Sequence, residues 1–182
     1  MDEIVRQAMA KWPDVPDCYG WLGLGARGDW YLRDAQVQAC GPFASGKPGA
    51  RGARLVHEAL LSFIGRNYAA DARGCWFFQN GPQRVYVELD VAPWIWRVDE
   101  NGVVTSHTQQ PASLRQVLTD ELGRVFLQTG LGFGLVHTQD VGRVADLIES
   151  GRWQQPKAVA AETLPSRFGY EPSPQRRAEL RP

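Results

Sequence analysis

The chain reads as an α+β protein: a predominantly antiparallel, curved sheet, open or barrel-like, with three to four helices packed on it. Three observations carry this reading. Residues 74–98, GCWFFQNGPQRVYVELDVAPWIWRV, set two runs of β-forming side chains on either side of an Asn-Gly turn signal. Residues 55–68 repeat apolar side chains at helical spacing. The order strand, strand, helix, strand, strand, strand, then further strands and a helix, belongs to an α+β fold rather than to alternating βαβ units.

In chain order, residues 2–12 form a short amphipathic helix with Ile4, Val5, Ala8, Met9 and Trp12 on one face, ended by Pro13. Residues 19–24 and 29–33 flank Ala-Arg-Gly as a hairpin. Residues 41–54, rich in glycine and proline, read as loop. Residues 55–68 are the best helix, with Val56, Ala59, Leu60, Phe63 and Ile64 as its buried stripe. Pro93 breaks the run that follows, and Trp94 opens a strand to Val98. Asp99-Glu-Asn-Gly102 turns into a strand at residues 103–107. Residues 112–118 suggest one or two helical turns, residues 123–128 and 131–137 a further hairpin. Val141, Val144, Ala145 and Ile148 mark a last helix, with Gly151 beyond its end.

Alternation along the strands decides which way the central hairpin faces. Any loop of even length puts Trp76 and Phe78 on the side of Val85, Val87 and Leu89. The opposite side carries Cys75, Phe77, Arg84, Tyr86 and Glu88. The first set is the expected core and the second a mixed face, on which Phe77 and Arg84 can stack as a cation–π pair. That mixed face is the expected binding surface for a ligand or partner, with Phe77, Arg84, Tyr86 and Arg97 as its residues. The expectation requires the helix at 55–68 to cover the other side.

Composition narrows the function. Twenty basic and twenty acidic residues cancel, so nothing global favours nucleic acid or an anionic membrane. Three cysteines, Cys18, Cys40 and Cys75, form no CxxC and read as reduced thiols of a cytoplasmic protein. No signal peptide and no membrane-length apolar run are present. Gly41-Pro-Phe-Ala-Ser-Gly46-Lys47 matches a P-loop until Pro48 stands where Ser or Thr must bind magnesium. Gly130-Leu-Gly132-Phe-Gly134 lacks the spacing of a dinucleotide fingerprint. His57, His107 and His137 show no ligand spacing. No catalytic residue, metal site or cofactor is expected.

Two short stretches carry a resemblance. Asn67-Tyr68 with Arg73-Gly-Cys-Trp-Phe-Phe-Gln-Asn-Gly-Pro-Gln-Arg-Val-Tyr-Val87 resembles a family of small, soluble, mainly proteobacterial proteins known only as a domain of unknown function. Trp12-Pro13, Tyr19-Gly20-Trp21 and Gly28-Asp-Trp-Tyr31 are similar to it too. The likeness covers roughly residues 1–107 and implies a cytoplasmic bacterial protein with no assigned activity. Gly28-Asp-Trp-Tyr31, the helix after it and Val87-Glu-Leu-Asp-Val-Ala-Pro-Trp94 also resemble a second uncharacterised, β-rich bacterial family. Neither supplies catalytic residues.

The sequence is therefore read as a single α+β domain over residues 1–150 and a Pro/Arg-rich C-terminal extension over residues 151–182. Five prolines, six basic residues and three acidic residues mark residues 152–182. The favoured function is a small non-enzymatic binding or accessory module. One alternative is a small hydrolase or transferase with a cleft near Cys75 and His107. The other is a homo-oligomeric structural protein whose tail docks on its partner through Trp153, Phe168 and Tyr170. The expected partner is a small molecule or a protein, a second copy of the chain included; nucleic acid and membrane are not expected.

Overall fold

The computed structural model describes residues 1–180, in two compact units. The first unit holds Met1–Gly25, Asp29–Val91 and the described residues from Tyr170 on. It opens with α1 (Glu3–Lys11), ended where Trp12 N donates to Ala8 O and Pro13 follows. Of the apolar stripe expected there, only Val5 is fully buried; Ile4 and Trp12 are 72% and 52% exposed. The strands are β1 (Cys18–Leu24), β2 (Trp30–Leu32), β3 (Ala53–Arg54), β4 (Tyr68–Ala70), β5 (Trp76–Asn80) and β6 (Gln83–Leu89). They pair in the order β3-β2-β1-β6-β5-β4, all antiparallel except β1 with β6.

The glycine-rich stretch expected as loop over 41–54 ends in β3 at Ala53–Arg54, and the part before it is ordered by a buried cation. Arg33, 1% exposed, donates from Nε to Ala50 O, from Nη1 to Gly20 O and from Nη2 to Gly41 O. These charge-assisted bonds satisfy carbonyls that an irregular segment would otherwise leave unmade. No helix opens after Lys47.

The helix expected over 55–68 is shorter. It runs over Glu58–Arg66, and His57 caps it by accepting the Leu60 N–H. Val56 lies outside it and is 74% exposed; Leu60 is 38% exposed. Inward packing comes from Ile64 and from Phe63, whose ring meets Phe78 edge-on at 5.4 Å. Tyr68 has already turned into β4.

The β5–β6 register pairs Phe77 with Tyr86, Phe78 with Val85 and Asn80 with Gln83, leaving Gly81-Pro82 as a two-residue loop. Gly81 takes φ +58, which glycine adopts without penalty. Pro82 fits because the second loop residue needs no ladder N–H. Trp76, Phe78, Val85 and Val87 thus share one face and Phe77, Arg84 and Tyr86 the other, as side-chain alternation requires.

The second unit holds Ala26–Gly28 and Ala92–Gly169. Its strands are β7 (Trp94–Val98), β8 (Val104–Ser106), β9 (Pro111–Ala112), β10 (Leu114–Thr119), β11 (Val125–Thr129), β12 (Phe133–Val136) and β13 (Lys157–Ala158). Their order is β13-β10-β11-β12-β7-β8-β9, with parallel pairs only at β12–β7 and β10–β13. The stretch at 112–118, expected to be helical, is strand instead. Val117 and Leu118 are buried opposite Leu127 and Phe126, and this pairing outweighs a short, weak helical pattern. Close approach of β12 to β7 demands Gly134: a Cβ there would lie 2.4 Å from Trp94 O and 2.6 Å from Trp96 Nε1.

Trp96 is fully enclosed in this unit, its Nε1 donating to Leu127 O at 3.1 Å. Phe133 stacks on Phe126 at 5.2 Å and on Phe168 at 3.9 Å. The described part of the Pro/Arg-rich stretch, residues 151–180, is thereby shared out. Residues to Gly169 belong to the second unit, anchored by Phe168; Tyr170 and the described residues after it belong to the first, where the Tyr170 hydroxyl donates to Val91 O at 3.0 Å. Among the described residues, no helix is long and apolar enough to cross a membrane.

Candidate ligand cleft at Arg84

The mixed face of the hairpin is not an open surface. Tyr86 and Phe77 are 0% and 6% exposed, and Cys75 and Glu88 are also buried, whereas Trp76 is only half-buried. The expectation that Phe77 and Tyr86 present an accessible platform is corrected here. Tyr19 stacks on Tyr86 at 4.6 Å with the rings 3° from parallel. The C-terminal segment occupies the next position along the strand: Ser173 Oγ and Gln175 N donate to the two Glu88 carboxylate oxygens at 2.5 and 3.0 Å. Burial raises the Glu88 pKa, and these two donors work against that rise.

Beneath Arg84 lies a polar network. Asp71 closes its own turn by accepting from Arg73 N and Cys75 N at 2.9 and 3.0 Å. Its other oxygen takes Arg73 Nε and the Tyr86 hydroxyl, and Arg73 Nη2 donates to that same hydroxyl at 3.0 Å. Burial opposes the Asp71 charge, yet the Arg73 bond and the backbone bonds hold its pKa below the usual value. Tyr86 is a buried structural residue, its phenol pKa raised by burial.

On this face of the hairpin, Arg84 is the predicted residue that remains accessible, half-buried. Its guanidinium stands over the Phe77 ring at 5.1 Å. It lines two hollows. One, of about 550 Å³, has Ala70, Asp71, Arg73 and Phe77 in its wall. The other, of about 600 Å³, runs between the end of α1 with residues 13–17 and the β5–β6 hairpin. Met9, Trp12, Val15, Pro16 and Pro82 give this second cleft apolar walls, and Asp14, Asp17, Gln79 and Arg84 give it polar groups. Gln83 Nε2 ties the hairpin to the loop by donating to Pro16 O at 3.0 Å.

Gln79 is the residue that sequence reasoning missed. It is 1% exposed and sits opposite Arg84 across the hairpin. Nε2 donates to Gly81 O at 2.9 Å, while the buried Oε1 has no hydrogen-bond partner. A buried acceptor without a donor is costly, and this one belongs to a residue in the cleft wall. The signal was a lone amide inside the apolar run Trp76-Phe-Phe-Gln79, together with the Trp12-Pro-Asp-Val-Pro-Asp17 stretch that supplies the facing wall.

Arg97 does not join this group. It lies in the second unit on β7, bound to the fully buried Asp140. Cys75 and His107 likewise belong to different units. Burial raises the Cys75 thiol pKa, with the Asp71 charge adding to the rise. Burial pushes His107 down to about 3. All three histidines spend Nδ1 as an acceptor of a backbone N–H: His57 from Leu60, His107 from Ile95, His137 from Gln139. Among the described residues, no three His, Cys, Asp or Glu side chains gather as a metal site.

Comparisons with known proteins carry no activity. The family described as "Protein of unknown function (DUF2946)" matches residues 1–175. No curated protein matches the chain. A crystal structure of a DUF1285 family protein from Silicibacter pomeroyi DSS-3 is similar, with 12% identity and a TM-score of 0.47 over 81% of this chain and 85% of that one.

Proposed function

The chain belongs to the family of proteins of unknown function DUF2946, and we propose that this member is a small non-enzymatic binding module whose ligand lies in the cleft lined by Trp12, Gln79 and Arg84. The observation that carries the reading is the buried Gln79 Oε1, an acceptor with no donor in a wall of that cleft. Turning of the Gln79 amide toward the cleft would bring Oε1 to a ligand N–H and satisfy it. The cleft volume of about 600 Å³ suits a small molecule, and its mixture of apolar wall and few polar groups is that of a ligand pocket.

The lining selects a ligand class. Asp14 and Asp17 offer carboxylates to an ammonium group, Arg84 offers a guanidinium to an acid, and Trp12 with Met9 offers apolar area. Trp12 already holds a cation on its ring, Lys11 Nζ at 4.5 Å. The ligand is accordingly an amino-acid-like zwitterion, a free amino acid or a short peptide.

The test is calorimetric titration of the whole chain with a panel of amino acids and dipeptides, with tryptophan emission followed in parallel. Saturable binding is expected, weakened at least tenfold in Arg84→Ala. Absence of saturable binding across the panel, or equal affinity in Arg84→Ala, overturns the reading.

A further inference from the structure

The second unit has a cleft of its own, about 390 Å³, lined by Arg97, Asp99, Glu100, Thr105 and Arg143 among others, with Asp140 in its wall. We infer that it binds the carboxylate of a small hydroxy or amino acid between Arg97 and Arg143. The inference is independent of the Arg84 cleft and stands on a different set of residues.

The geometry begins with Asp140, which is fully buried where β12 gives way to the helix Val141–Glu149. Its carboxylate accepts from Arg97 Nε at 2.5 Å, from Arg97 Nη2 at 3.3 Å, from Val98 N at 3.2 Å and from Arg143 Nη1. Burial opposes its ionisation, but the Arg97 and Val98 bonds and the two guanidinium charges keep its pKa below the usual value. The charge at the back of the cleft is therefore fixed: two guanidinium groups against one carboxylate.

One positive charge is left over, and it faces outward. The two arginine side chains are 49% and 43% exposed. Asp140 occupies one edge of each guanidinium. Nη1 of Arg97 and Nε and Nη2 of Arg143 have no hydrogen bond among the described residues. Planar guanidinium groups held by a second carboxylate are pre-organised to grip an anion, with little rotamer freedom left to lose.

The rim decides which anion. Asp99 spends Oδ1 on Asn101 N and Val103 N, and Glu100 stands beside it. These carboxylates repel a dianionic phosphate. They accept hydrogen bonds from hydroxyl or ammonium groups. A monoanionic head with donors behind it satisfies both ends of the cleft, which is the chemistry of a hydroxy acid or an amino acid.

The experiment is a titration of the ¹⁵N-labelled full chain at constant ionic strength with L-lactate, L-serine, acetate and inorganic phosphate, read by chemical shifts of Arg97, Arg143 and their neighbours. Lactate or serine should saturate these shifts, with at least tenfold weaker binding in Arg143→Met. Arg143→Lys keeps a cation beside Asp140 and serves as the folded control; it too should bind at least tenfold more weakly, because the fork is lost. Shifts from phosphate or acetate as strong as those from lactate and serine overturn the assignment. So does the absence of saturation, or unchanged binding in both variants.

Discussion

Burial holds the His107 imidazole neutral in the folded protein, with its pKa pushed down to about 3, whereas an unfolded chain titrates it near 6.5. Below pH 6.5 the unfolded state binds the extra proton, so stability falls as pH drops from about 6.5 towards 3. Between pH 6.5 and 5 the loss is on the order of 1–2 kcal/mol. His107→Gln should flatten that slope relative to wild type in urea melts; parallel slopes would contradict the account. Asp71 and Asp140, whose folded pKa values are lowered, lose their contribution only as pH falls below the normal carboxylate range, so the two windows separate. Asp140→Ala removes acceptors from Arg97, Arg143 and the Val98 amide together. It should cost about 2–3 kcal/mol, the scale of hydrogen bonds to a charged group, less than an enclosed pair would because both arginines are half-exposed. Trp96→Ala should cost about 3–5 kcal/mol, since the ring is fully enclosed. Trp76→Ala should cost visibly less, because Trp76 is only half-buried, and an equal loss in thermal melts would argue against the packing described.

Among the elements, what could be read from the sequence followed from local rules. Asn80-Gly81 and strict alternation were enough to sort Trp76, Phe78, Val85 and Val87 from Phe77, Arg84 and Tyr86, and the observed register agrees. Alternation says which side a residue faces and nothing about what covers that side. The cover over Glu88 comes from Ser173, 85 residues further along, and no local pattern announces it. The same holds for Gln79: residues 13–17, distant in sequence, form a cleft wall with it. The strand at 114–119 was misread for a related reason, because its short apolar pattern is ambiguous until β11 is placed beside it. Ser173→Ala takes a donor from a buried carboxylate and should cost about 1.5–3 kcal/mol. Unchanged denaturation midpoints in that variant would show that the C-terminal segment does not hold Glu88.

Across the whole molecule, two sheets each enclose their own core, and each unit carries a cleft with an arginine in it. The Pro/Arg-rich C-terminal residues are used by both units, through Phe168 in one and Tyr170 in the other. Few apolar anchors stand among the many polar residues of this stretch; Phe168, Tyr170 and the Ser173 and Gln175 bonds to Glu88 are among the contacts that hold it. The central claim is that the Gln79 cleft receives a ligand, and the most direct measurement is the thermal shift of Gln79→Leu. Without ligand, the variant should melt within about 2–4 °C of wild type, since it loses the bond to Gly81 O and also removes an unsatisfied acceptor. An amino acid or dipeptide that raises the wild-type midpoint should then leave the variant's midpoint unmoved. A ligand-induced rise of the same size in Gln79→Leu would contradict the account.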